Sequence, residues 1–192
     1  TILLTVTGVQ TCALPILKNY MDKVLISHGS LRMVPIQRRH IIPMYSTMSV
    51  ENLFEAEVVY QIDLMKTLIQ YSETPDVFVV ENDKEPLAIV GVTGVTHQKG
   101  IMWIVFSENM KDNWFSFVKA SPKLIDFLHT HYHEIVVDTW EGNHKMLQWL
   151  GWLGFELTEM YANENGFNMA HFVRCNQHRK NVYAFSSRPV IH

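Results

Sequence analysis

Residues 135–155 constrain this chain more tightly than any other stretch. Ile135, Val136, Val137, Asp138, Thr139 and Trp140 form a β-branched run that reads as a strand, and Glu141 with Gly142 makes a tight turn. A short amphipathic helix follows. Asn143 can cap it by accepting a hydrogen bond from a backbone N–H two or three residues on. Met146, Leu147, Leu150 and Leu153 recur at helical spacing and make one buried face. Gly154 can take the left-handed conformation that closes a helix, and Phe155 opens the next strand. Strand, helix and strand in this succession place a helix against a sheet.

The rest of the chain extends that pattern. Residues 31–36 read as a first strand whose Pro35 suits an edge position. A helical turn from Arg38 to Ile42 should end before Pro43. Ser49 is a good cap, and Glu51 stands where the helix dipole favours an anion. Leu53, Phe54, Val58, Ile62, Met65 and Ile69 then predict one long helix over 53–69. Strands are expected at 77–80, 87–92 and 101–106, joined by turns at 82–84 and 98–100 that force antiparallel pairing. The strand 135–140 follows a helical crossover and should run parallel to 101–106. Strands 156–161 and 167–174 flank a hairpin turn at 163–166.

The beginning of the chain reads differently. Residues 6–16, from Val6 to Ile16, resemble the translation of a sequencing adapter, so 1–17 is set apart as a leader, 18–175 as a single domain and 176–192 as a tail. A signal peptide is the competing account. It lacks a basic first segment, and Gly8, Gln10 and Pro15 interrupt its apolar core. Cys12 falls in the leader, leaving Cys175 without a partner, and no Cys-x-x-Cys pair exists. The chain is therefore expected to be disulfide-independent and not secreted by a signal peptide. A net charge of −3 with no basic run argues against nucleic acid as a partner. No stretch is apolar and long enough to predict a membrane span.

The run from Asn143 to Phe155 resembles the C-terminal half of the Gcn5-related N-acetyltransferase (GNAT) fold, which shows an asparagine at the start of its last helix and a Gly-Phe pair at its end. The resemblance implies an α/β (α+β) domain of the acyl-CoA N-acyltransferase kind, with a mixed, mostly antiparallel sheet flanked by helices. The predicted order β-α-α-β-β-β-α-β-α-β-β is the order such a domain shows. Gly142-Asn143, Trp149-Leu150 and Leu153-Gly154 are most similar to GNAT-like proteins of lytic phages. Some of these are internal virion proteins of short-tailed coliphages. That version implies a bacteriophage protein in the virion or the host cytoplasm, with other virion proteins or a host protein as partners.

The same resemblance implies acetyl-CoA as cofactor. Its pantetheine arm would pair with the strand holding Trp103, Ile104, Val105 and Phe106, beside Asn143. Its diphosphate would sit on a glycine-rich loop after that strand, where free N–H groups and a helix dipole stabilise phosphate charge. This chain departs from the pattern there: Ser107 to Lys123 contains no glycine, and Glu108 and Asp112 add repulsive charge. Trp114, Phe115, Phe117 and Val118 read as one packed helix. Ser121 could cap a second one with Pro122 in its first turn, which would make Lys119 and Lys123 a relocated anion site. A solvated lysine pair is the plainer account. Many GNAT enzymes also carry a tyrosine in the last helix to protonate the leaving thiolate. That position is Leu150 here, with Tyr161 as a substitute donor and Glu108, Asp138 and Glu141 as carboxylates for a general base.

Other candidate sites are weaker. His129 and His133 could share a helix face, but without a third ligand no metal is expected. Cys175 beside Arg174 gives little support to nucleophilic catalysis. Trp140, Trp149 and Trp152 are expected to cluster around the last helix as core or cleft-lining residues. Together these features predict a virion-associated GNAT-fold protein with weak or no acetyl transfer, the alternative being an active acetyl-CoA-dependent N-acetyltransferase with an atypical diphosphate loop.

Overall fold

The computed structural model describes residues 24–176 apart from positions 95 and 97; the adapter-like leader and the tail beyond Asn176 lie outside them. Along the chain come β1 (Ile26–His28), β2 (Leu31–Pro35), α1 (Arg38–Ser46), α2 (Val50–Phe54), a π-helical turn (Glu55–Val59) and α3 (Leu64–Tyr71). They are followed by β3 (Val77–Glu81), β4 (Pro86–Gly94), β5 (Lys99–Phe106), α4 (Met110–His129), β6 (Glu134–Trp140), α5 (His144–Trp152), β7 (Glu156–Ala162) and β8 (Asn168–Cys175). The strands make one sheet in the order β1-β2-β3-β4-β5-β6-β8-β7. β5 and β6 pair in parallel, as the crossover predicted, while the neighbouring pairs are antiparallel. The sheet is thus mixed and mostly antiparallel.

Because side chains alternate along a strand, each strand feeds both faces. Phe78 and Val80 of β3 join Met102, Ile104, Phe117, Leu124, Leu128 and Leu150 in a core under α4 and α5. Val77 and Val79 join Ile41, Met44, Leu64 and Leu68 in a second core under α1 and α3. Burial on both faces explains why the central strands are continuously apolar.

The last helix closes as expected. Gly154 has φ +79°. Its N–H donates to Gly151 O at 3.0 Å, and the N–H of Phe155 donates to Leu150 O at 3.0 Å, a Schellman arrangement that satisfies two orphan carbonyls. Trp149 is core, but Trp152 is 56% exposed and Trp140 packs against Phe54, so the three tryptophans do not cluster.

Three helix expectations need correction. The single helix over 53–69 is broken into α2, the π turn and α3. The widened turn is held by Tyr60 N–H donating to Glu55 O at 3.0 Å, and Gln61 then takes φ +54°. Asp63 restarts the helix by accepting the Lys66 N–H at 2.9 Å. Both pieces lie against the sheet, so their apolar residues mimic one period, although Val58 and Ile69 end up exposed. α1 runs through Pro43 instead of stopping before it, with Ile41 and Met44 buried on either side.

The third correction concerns Ser121 and Pro122. No second helix starts there, because α4 continues through both. The buried row Phe117, Leu124, Ile125 and Leu128 carries the helix past the proline. Ser121 Oγ donates back to Phe117 O at 2.7 Å and accepts from Trp149 Nε1 at 3.1 Å. Lys119 and Lys123 therefore sit in mid-helix, away from any helix N-terminus, and Lys119 Nζ lies 4.1 Å from the centroid of the Phe115 ring.

Candidate functional site

β5 and β6 stay paired only where Lys99, Gly100 and Ile101 face Glu134, Ile135 and Val136. Beyond that point they diverge, and the gap between them is where Trp103 to Phe106 would meet a cofactor. Two side chains of the α2–π segment reach into it. Asn52 Oδ1 accepts the N–H of Phe106 at 2.6 Å, while the Phe106 carbonyl accepts the N–H of Ser49 at 2.9 Å. Across the gap, Glu55 Oε1 accepts the N–H of Trp140 at 2.9 Å and the hydroxyl of Thr139 at 2.8 Å. Glu55 Oε2 accepts Asn143 Nδ2 at 2.8 Å. Asn52 and Glu55 are three residues apart and share a helix face, so one short segment staples the two diverging strands.

Glu55 is only 9% exposed. Burial pushes its carboxyl above the ordinary carboxylate value, and the hydrogen bonds from Trp140, Asn143 and Thr139 pull it partly back. Asn143 caps α5 as predicted, its Oδ1 accepting the N–H of Met146 at 3.3 Å. With Nδ2 committed to Glu55, both ends of that amide are used inside the chain.

The junction from β5 into α4 is equally self-contained. The N–H of Ser107 donates to Leu87 O (2.9 Å), that of Glu108 to Thr47 O (2.7 Å) and that of Asn109 to Ser107 Oγ (3.1 Å). The next two, of Met110 and Lys111, donate to Ser107 O (3.0 Å) and Glu108 O (3.2 Å). With Phe106 bound to Asn52, every amide from Phe106 to Lys111 has a partner within the chain. Ser107 also bridges Met48, which ties this junction to the loop before α2.

Outside the staple lies a cleft of about 460 Å³ between the starts of α4 and α5. Phe106, Met110, Trp114 and Met146 supply apolar wall, with Glu51, Glu108, Lys111 and Lys145 around them. Glu108 accepts the N–H of Val50 at 3.3 Å and is bonded to Lys111, whose ammonium holds its carboxyl below the usual range. Leu150, where the tyrosine would stand, is fully buried in the core.

The remaining candidates lie on other parts of the sheet. Asp138 on β6 holds His171 Nδ1 at 2.7 Å and is hydrogen-bonded by Tyr161, whose hydroxyl is pushed up to about 12, first by burial and then by Asp138. Tyr60 donates to the Asp138 carbonyl at 3.2 Å. Glu141 is an exposed turn residue that accepts Asn168 Nδ2 at 2.9 Å. The structure thus brings Asp138 and Tyr161 together, and keeps Glu108 and Glu141 apart from them. Buried His129 bonds the Tyr132 carbonyl through Nδ1 at 3.1 Å. Among the described residues no three His, Cys, Asp or Glu side chains are grouped to hold a metal, and no helix is long and apolar enough to cross a membrane.

Asn52, Glu55 and His171 were not singled out from the sequence. For Asn52 and Glu55 the only signal was their i and i+3 spacing, which the neighbouring polar residues Glu51 and Glu57 obscured. His171 carried none, because its partner Asp138 is distant in sequence.

No protein-family model matches the chain, and no curated protein resembles it closely enough to be a relative. Solved structures do resemble it. A GNAT-family acetyltransferase from Bacillus anthracis superposes with a TM-score of 0.63 at 10% identity, covering 78% of this chain and 97% of that one. Spermidine N-acetyltransferase from Vibrio cholerae, in complex with CoA and spermine, gives 0.59 at 14% identity, covering 76% and 95%. Ribosomal-protein-S5-alanine acetyltransferase from Vibrio fischeri gives 0.55 at 13% identity, covering 79% and 96%. The parted parallel strands, the helix order and these superpositions agree that this chain has the GNAT acetyltransferase fold.

Proposed function

We propose that this chain is a GNAT-fold protein with weak or no acetyltransferase activity, acting by binding other proteins. One observation carries the reading: the chain itself uses Phe106 and Trp140 on the two diverging strands and every amide from Phe106 to Lys111. A diphosphate needs several free N–H groups converging on it. Here it would have to displace backbone and side-chain acceptors already in place, and it would meet Glu108. The junction does not fit that group. Proton transfer is no better supported. Glu108 is tied to Lys111, which makes it a poor base, and Leu150 has no proton to give.

Its place in a phage virion, beside other virion proteins or a host protein, rests on the likeness of Gly142-Asn143, Trp149-Leu150 and Leu153-Gly154 to phage GNAT-like sequences. An active N-acetyltransferase is the second reading, favoured by the parting of β5 and β6 beyond Ile101 and Val136. Calorimetric titration with acetyl-CoA, run beside a thiol-release assay over a panel of primary amines, separates the two. The expected result is no saturable heat at micromolar protein and no release above the uncatalysed rate. Micromolar binding with multiple turnovers would overturn the proposal. Mass spectrometry of purified particles tests the virion assignment, which fails if the chain is absent from them.

A further inference from the structure

The π turn ends on a carbonyl that needs a partner from elsewhere. Val59 is buried, and the chain leaves helical geometry at Gln61, so the Val59 oxygen is one of the orphans of a helix end. The β7–β8 hairpin supplies the donors. Asn163 Nδ2 and Asn165 Nδ2, 104 and 106 residues further along, both donate to Val59 O at 2.9 Å. Asn163 is itself held, its Oδ1 accepting the N–H of Asn165 at 3.0 Å and that of Phe167 at 2.9 Å. The hairpin tip is thus a brace for the segment that carries Glu55.

This brace contains the chain's single Asn-Gly dipeptide, Asn165-Gly166. Gly166 is exposed and takes φ +80°, and among the described residues nothing beyond its chain neighbours lies within 4 Å of where a Cβ would stand. An asparagine carboxamide can be attacked by the backbone nitrogen that follows it, and glycine leaves that nitrogen unshielded.

We propose that Asn165-Gly166 is a site of spontaneous covalent modification whose product releases the π turn. Gly166 N attacks Asn165 Cγ and gives its proton to solvent. The bond from Cγ to Nδ2 breaks, ammonia leaves, and a five-membered succinimide closes. Water then adds to one of the two ring carbonyls and breaks that carbonyl's bond to the ring nitrogen. Opening at one carbonyl gives aspartate; opening at the other gives isoaspartate, in which the main chain runs through the former side-chain carbon. The balance is amide plus water to acid plus ammonia, so no further reactant is needed. Either product has lost the Nδ2 donor and gained a carboxylate, and in the aspartate form that carboxylate faces the Val59 carbonyl, acceptor against acceptor. Isoaspartate also lengthens the turn where Asn163 N–H meets Phe167 O at 2.9 Å. In the closed tip the Gly166 N–H donates to Asn163 O at 3.0 Å, so ring closure waits on local opening of the hairpin end.

The full chain, aged in mildly alkaline buffer, is followed by peptide mapping with fragmentation that separates aspartate from isoaspartate. Conversion should concentrate at Asn165 and be lost in Gly166→Ala, whose methyl group hinders closure. Hydrogen exchange reads the consequence. In the aged chain and in Asn165→Asp, the Tyr60 and Trp140 amides, which donate to Glu55, should exchange about tenfold faster. Asn165→Ala, with neither donor nor carboxylate, should have a smaller effect, and the amides of Val79 and Ile89 in the buried strands should be unchanged.

An Asn165 that stays intact while the excised, unfolded peptide converts would overturn the site. Conversion that persists in Gly166→Ala would overturn the ring-closure route. Unchanged exchange at Tyr60 and Trp140 would overturn the release, as would a rise that extends equally to Val79 and Ile89, because the product would then unfold the chain instead of freeing one segment.

Discussion

Replacing Glu55 tests whether one short segment really staples the two diverging strands. In Glu55→Ala three donors lose their acceptor: the Thr139 hydroxyl, the Trp140 N–H and Asn143 Nδ2. Thr139 and Asn143 are themselves buried. Each orphaned donor costs about 1–3 kcal/mol, but the vacated space is shared and can admit water, so the total should be about 3–5 kcal/mol. Glu55→Gln is more discriminating. Its single oxygen can keep Thr139 and Trp140, yet its –NH₂ then faces Asn143 Nδ2, donor against donor. Turning Asn143 over would relieve that contact only by uncapping Met146, worth about 1 kcal/mol. Loss of a buried charge offsets part of this, so the glutamine variant should cost about 1 kcal/mol or less.

Burial also sets a pH signature. The folded-state value of Glu55 lies above its ordinary 4.5, so the carboxyl holds its proton more tightly when folded. Its contribution is fully present below 4.5 and is lost as pH rises through the folded value. Glu55→Gln should remove that slope. Urea denaturation across this window, with hydrogen exchange at the Trp140 amide, reads both effects. An alanine variant costing under about 1 kcal/mol, or a glutamine variant costing as much as alanine, would refute the staple.

Two further predictions probe the helices. Pro122 lies in the interior of α4, where the missing N–H leaves the Val118 carbonyl unpaired, so Pro122→Ala should stabilise the chain by about 1–3 kcal/mol in thermal melts. If a second helix began at Pro122, the change would be neutral or harmful. His40 and His129 are held below their ordinary 6.5 mainly by burial. Stability they contribute is present above 6.5 and lost as pH falls through their lowered folded values, so denaturation midpoints should drop in mild acid. The drop should flatten in a His40→Gln, His129→Gln double variant; an unchanged acid slope would exclude these two as its source.

Local chemistry alone determined much of the frame. Asn143 as cap, Gly154 as stop, the turns at 82–84 and 163–166, and the central apolar runs are choices a few neighbouring residues make for themselves, because capping, left-handed φ and strand period act over one or two turns of chain. The lack of glycine between Ser107 and Lys123, and the leucine at 150, were likewise visible at once.

Tertiary structure decided the rest. Whether Pro122 ends a helix or is carried through one depends on the apolar row that buries α4, a long-range gain that outweighs a local penalty. The break after Glu55 was hidden because two helices packed on one sheet share a periodicity. Above all, no pattern along the chain announces that Glu55 will meet Thr139, Trp140 and Asn143, or that Asn52 will meet Phe106. Those contacts join residues far apart in sequence, and only the folding of α2 across the open strands brings donors and acceptors to bonding distance.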